Sequence, residues 1–345
     1  MQTRSIDSIN GKKNLGFTRI TRAARLAFGC ATVAIVSACG GEKAADTAAD
    51  STRVATRDPN SPIAVVDQGL STPESVLWDG MRNVWYISNI NGGPQEKDDN
   101  GYIVRVGPDG QKSDSMPFIN GADDDIMLHA PKGMAILGDT LWVADIDALR
   151  GFDLVSGTQV ASVDLQSRRA TFLNDVTVGP DGTIYITDTG VTFDAAGNAR
   201  HTGASRVFSL RGRTVSEAVV LPRESGANGI SWDPAREAFV IASFATPDVF
   251  TWKPGSKTAI AAGKGPGGGD GIIVLADGRV VISSWADSSL TVVGMDGAAP
   301  ATLRKGLPSP ADIGYDAARH VMAVPLFTGN RVEFWSVGEE GPRQP

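Results

Sequence analysis

Four residues with oxygen side chains, Glu74, Asn174, Asn228 and Asp270, each stand at the start of a short apolar stretch. Two carboxylates and two amides are hard donors. Together they suit Ca2+, with Mg2+ or Mn2+ as alternatives, and the two negative charges would neutralise a divalent ion. Without a metal the same four would be rim residues that cap strand ends. Lys132 and Asp312 occupy the corresponding place in two further stretches. A cation beside a metal is costly unless it is paired. Lys132 is therefore expected either to pair with Asp312 or to receive a substrate carboxylate. His129 and His201 lie in loops near these residues and could move protons near neutral pH.

Other chemistries are poorly supported. The stretch GKGPGGGDG (263–271) lacks the Ser/Thr after Lys264 and the following helix that a phosphate loop needs. No G-x-S-x-G elbow occurs. Asp123, Asp124 and Asp125 read as a solvated loop, and no basic stripe suggests nucleic acid. The two cysteines, Cys30 and Cys39, both lie in the first 40 residues, so thiolate chemistry is not expected in the folded part.

The candidate residues sit on a repeat. A polar residue, an apolar strand, a Gly/Asp turn and a second apolar strand recur six times, beginning at Pro73, Pro131, Leu173, Ala227, Gly269 and Pro310. The polar members Glu74, Lys132, Asn174, Asn228, Asp270 and Asp312 are separated by 58, 42, 54, 42 and 42 residues. That period fits a four-stranded propeller blade. The expected fold is all-β: a six-bladed β-propeller over residues 62–338. The sixth unit has three strands, so IAVVDQ (63–68) is expected to complete it and close the ring. The six polar residues would then ring one mouth of the central channel. The longest loops, Asn89–Gly101, Asn120–Ala130 and Gly190–Ala204, would open on the same face.

The first 38 residues read as an address. A basic head precedes the apolar run Leu26–Ala38, which is too short for a bilayer needing about 20 residues. The run ends Val36-Ser37-Ala38-Cys39-Gly40. This resembles a bacterial lipobox, which implies lipidation of Cys39 and a membrane anchor. An ordinary signal peptide with a chance cysteine is the alternative. Gly40 after the cysteine favours the outer membrane and periplasm over the inner membrane. Removing residues 1–38, which hold six basic and one acidic side chain, changes the formal charge from -7 to -12. Residues 39–61 read as a flexible tether and 339–345 as a tail. A monomer is expected.

The set PES, LND, NG and GDG, one per unit, resembles the SMP-30/gluconolactonase/LRE-like propellers over about residues 63–338. The resemblance implies that Glu74, Asn228 and Asp270 bind a divalent metal, Ca2+ foremost, and that Asn174 is the fourth contact, to metal-bound solvent or substrate. It implies hydrolysis of a lactone or related ester, the metal polarising the carbonyl. Asp270 or Glu74 would act as base, or Asp270 as nucleophile. Asn174, Lys132 and His129 would contact substrate. Sugar-lactonase members often carry an Arg two residues before the LND Asn, where this chain has Phe172. A more apolar ester or lactone is therefore easier to accommodate than a sugar acid lactone. The alternative reading is a non-catalytic, envelope-anchored propeller that binds a ligand or protein.

Overall fold

The computed structural model describes residues 60–111, 117–194, 198–202 and 205–338. Cys39, the expected signal peptide, nearly all of the expected tether and the tail 339–345 lie outside the described residues. Among the described residues no helix is long and apolar enough to cross a membrane.

The strands form six antiparallel sheets of four or five strands, in which neighbours in sequence are mostly neighbours in space. They are the six blades. The innermost strands are Pro73–Asp79, Pro131–Leu137, Leu173–Val178, Ala227–Asp233, Gly269–Val274 and Gly314–Asp316. Strand side chains alternate between two faces, and each blade uses both. Trp85 and Ile87 join a core shared with Val321, Val332 and Phe334 of blade six, whereas their neighbour Tyr86 packs with Met134, Leu141 and Val143 of blade two. Comparable clusters fill the other four junctions between blades. The cohesion is therefore distributed around the ring, each fully buried large apolar side chain contributing about 1.5–3 kcal/mol.

The ring closes twice. Ala64–Val66 pairs antiparallel with Arg331–Ser336 and becomes the outer strand of blade six, as the sequence suggested. At the axis, the Asp312 N–H donates to the Glu74 carbonyl at 2.8 Å, and the Val76 N–H donates to the Asp312 carbonyl at 3.3 Å. Blades six and one thus share direct backbone bonds at the channel.

One segment departs from the expected blade pattern. The stretch LTVVGMD does not stay in blade five. Ser289–Val292 does, but Gly294–Met295 crosses to pair with the outer strand of blade four, Ile260–Lys264. A turn closed by the Met295 N–H on the Val293 carbonyl at 3.0 Å redirects the chain.

Candidate metal centre and binding chamber

Five of the innermost strands carry the same irregularity. Their pairing register shifts between Pro73 and Ser75, Pro131 and Met134, Leu173 and Val176, Ala227 and Ile230, and Gly269 and Ile272. The residues inside or at these bulges include Glu74, Lys132, Asn174, Asn228 and Asp270. A bulge breaks the two-residue alternation and re-aims a side chain, and here it turns one polar residue per blade into the channel mouth.

Hydroxyls on the second strand repair the broken ladder. The N–H of Ser75 donates to Ser88 Oγ at 3.0 Å, that of Asp175 to Thr187 Oγ1 at 2.9 Å, and that of Gly271 to Ser283 Oγ at 2.8 Å. The last residue of the same strand then holds the loop that enters the site. Asn89 Oδ1 accepts the Ser71 N–H at 3.0 Å. Asp145 Oδ1 accepts the N–H groups of His129 and Ala130 at 3.1 and 2.8 Å. Asp188 Oδ1 accepts those of Thr171 and Phe172 at 3.2 and 3.0 Å. Sequence reasoning missed these residues. Their signal was the polar residue closing each second strand, in VWYISN, LWVAD and IYITD.

Glu74, Lys132, Asn174, Asn228 and Asp270 line one cavity of about 310 Å3. All five are buried. Glu74 Oε2, Asn174 Oδ1, Asn228 Oδ1 and Asp270 Oδ1 are buried and have no hydrogen-bond partner. The other polar atoms of two of these groups are engaged. Trp285 Nε1 donates to Asp270 Oδ2 at 2.8 Å. Asn174 Nδ2 donates to Thr189 Oγ1 at 3.4 Å, and Thr189 Oγ1 donates to the Ala227 carbonyl at 2.9 Å. One unsatisfied buried acceptor costs about 1–3 kcal/mol. Four oxygen acceptors lining one cavity, two of them on carboxylates, fit a hard divalent cation. Among the described residues no group of three His, Cys, Asp or Glu side chains could hold a metal, so a site here would need donors beyond the two carboxylates, and the two amide oxygens are the partnerless ones at hand.

The electrostatics agree. Burial raises the proton affinity of Glu74, and the charges of Asp270 and Asp312 add to this. Burial, then Asp312, pushes Asp270 up to about 8, while hydrogen bonds from Trp285 and Asn228 oppose the shift. Burial lowers Lys132 to about 8, opposed by Glu74 and then by Asp145 and Asp147. Positive charge placed among these carboxylates would relieve all of them.

Two expected placements differ. Asp312 is not on this rim. It pairs in register with Ser75, and its Oδ2 accepts the Ser75 hydroxyl at 2.5 Å. With Ser75 and Asp175 it lines a separate cavity of about 360 Å3 that runs along the inner strands toward Trp78, Val178 and Tyr315. The residue preceding it, Ala311, takes the place equivalent to the ring members. The spacing of 42 reached the wrong residue because Pro310, which pairs with Leu326 as Gly269 pairs with Ser284, lies only 41 residues after Gly269. Lys132 consequently does not meet Asp312. Its ammonium donates to the Ala130 carbonyl at 3.0 Å and lies 4.4 Å from the centroid of the Phe172 ring. His129 is likewise absent from the cavity wall. Its Nδ1 accepts the Asp99 N–H at 3.2 Å, and it thereby braces the blade-one loop. His201 does line the cavity, on the hairpin formed by Val191–Phe193 and Ala199–His201.

A model of the SMP-30/gluconolactonase/LRE-like region matches residues 72–311. The chain belongs to this family. No curated protein matches it in sequence. Solved structures share the fold at low identity. A gluconolactonase from Xanthomonas campestris is 15% identical, with a TM-score of 0.57 over 79% of this chain and 90% of the other. A structural-genomics protein assigned to the gluconolactonases is 16% identical, with a TM-score of 0.58 over 80% and 93%. Virginiamycin B lyase from Staphylococcus aureus is 11% identical, with a TM-score of 0.53 over 79% and 99%. The fold is thus shared by proteins named for different chemistries, and the argument for function falls on the site.

Proposed function

We propose that this family member is a divalent-metal-dependent hydrolase of a lactone or related ester. The observation that carries the reading is the convergence of four partnerless buried oxygens, one from each of blades one, three, four and five, in one cavity. Glu74, Asn174, Asn228 and Asp270 would hold the ion, with Ca2+ preferred by an all-oxygen set. When bound, such an ion supplies Lewis acidity for the carbonyl and charge for the developing oxyanion.

The chain's own residues do the rest. Trp285 fixes the Asp270 carboxylate by one oxygen and leaves the other facing the cavity. Asp270, whose proton affinity burial has raised, is the group we assign to take the proton of the attacking water, with Glu74 as the second carboxylate in reach. Thr189 turns the Asn174 amide so that its oxygen points inward. Lys132, the one Lys or Arg among the lining residues, is placed to receive the carboxylate of the hydroxy-acid product. The aromatic wall lowers the polarity around the ring, which strengthens each of these interactions.

We further propose that Cys39 carries a lipid that holds the protein at the bacterial envelope. The motif Val36-Ser37-Ala38-Cys39 supports this, and mass spectrometry of the mature N-terminus tests it.

The hydrolase reading is tested on a panel of lactones and aryl esters with the metal removed by chelation and then restored. Turnover that requires Ca2+, Mg2+ or Mn2+ and disappears in Asp270→Asn is the expected result. Turnover indifferent to both would overturn it.

A further inference from the structure

The walls of the chamber are built from a different chemistry than its floor. Above the polar ring, Phe172 and Phe193 pack at 5.2 Å on the blade-three side. Phe244, Trp285 and Phe327 form a continuous aromatic run on the side of blades four to six, with ring separations of 5.8 and 5.5 Å. Val191 closes the blade-three wall. Apart from His201 on the blade-three hairpin, the polar side chains beside these walls are engaged. Trp285 Nε1 is held by Asp270, and Thr189 Oγ1 is held between Asn174 and the Ala227 carbonyl. Lys132 is turned to the Ala130 carbonyl and the face of Phe172. A polyhydroxylated substrate would have to desolvate its hydroxyls against rings, which is unfavourable for each group left unpaired.

We infer that the substrate is a lactone or ester with a single polar reacting group and an alkyl or aryl substituent that fills the aromatic chamber, rather than a sugar lactone. This rests on the hydrolase reading above for the reacting group, and on the walls for the substituent. The carbonyl end sits at the polar ring, and the apolar tail lies between Phe193 and Phe244. Phe172 matters most to the sign of the preference. It is buried, supports Phe193, and takes the Lys132 ammonium on its face, which keeps that cation at the level of the polar ring and away from the rest of the aromatic walls.

The test uses the Ca2+-loaded protein and γ-lactones with no, methyl, propyl and pentyl substituents, with δ-gluconolactone as the polyol. Burial of one methylene is worth about a fourfold change in kcat/KM. The expected result is that kcat/KM climbs by about that factor per methylene, that the sugar lactone is no better than the unsubstituted ring, and that Phe193→Ser and Phe244→Ser each flatten the climb. A flat series, or δ-gluconolactone turned over as well as the pentyl lactone, overturns the inference and leaves the hydrolase reading standing. Unreactive γ-alkyl lactams, titrated by calorimetry, separate the two in the other direction. If no lactone is hydrolysed but lactam affinity rises with chain length and falls in Phe193→Ser, the chamber stands and the hydrolase reading fails. If neither hydrolysis nor chain-length-dependent lactam binding is seen, both fail.

Discussion

Trp285 and Asp270 are joined by a 2.8 Å hydrogen bond from the indole Nε1 to the carboxylate Oδ2. This one contact links the two halves of the site, because the ring belongs to the aromatic wall and the carboxylate to the polar ring. Its removal has a specific consequence. In Trp285→Phe the wall keeps an aromatic ring while Asp270 loses the group that orients it. Loss of an outer partner of a ligand typically costs 10–100-fold in metal affinity. Calorimetric Ca2+ titration of Trp285→Phe should therefore show affinity about tenfold or more below wild type with an unchanged melting temperature in chelator. Wild-type affinity would show that the indole is only packing.

Lys132 offers a prediction of opposite sign. It is a buried cation whose charge is countered chiefly by Glu74. Replacing it by Met removes repulsion toward an incoming cation but strands Glu74 as an uncompensated buried carboxylate. Lys132→Met should bind Ca2+ more tightly than wild type, melt lower in chelator, and recover most of that loss in saturating Ca2+. A melting temperature equally depressed with and without Ca2+ would contradict the assignment of Glu74 as a ligand.

The pH dependence follows from the same carboxylates. Asp270 is pushed up to about 8 and Asp312 to about 7, both first by burial. A raised native pKa means that the folded chain holds its proton more tightly than the unfolded chain. That stabilisation is complete below the ordinary carboxylate pKa of about 4 and is lost as pH climbs through the native values. Lys132, lowered to about 8, stays protonated in both states below that pH. Thermal melts of the cation-free protein should therefore fall from pH 5 to pH 8, and saturating Ca2+ should flatten the decline. Melts that rise over this window would show that the carboxylates are not buried together.

Much of this arrangement was legible because the bulge recurs at one place in the repeat. Glu74, Lys132, Asn174, Asn228 and Asp270 share it, so counting along the chain was equivalent to moving around the ring. Asp312 broke the equivalence. Its spacing matched, but Pro310 follows Gly269 by 41 residues rather than 42, so Ala311 takes the ring position and Asp312 falls one residue further along, where it pairs with Ser75. His129 was misplaced for a related reason. Nearness to Pro131 in sequence fixes where its backbone runs, whereas the side chain follows the Asp99 loop packed beside it. Phe172 was one visible sign of the chamber's apolar character. The other wall residues come from four separate loops whose convergence no local pattern encodes.

The central claim is that four orphan oxygens on the propeller axis form one cation site. Calorimetric titration of Ca2+ into the chelator-treated protein tests it most directly, run beside Glu74→Gln. One ion per chain in the wild type, with at least a tenfold loss of affinity in the variant, is the predicted result. Identical titrations of the two proteins, or no binding by either, would contradict it.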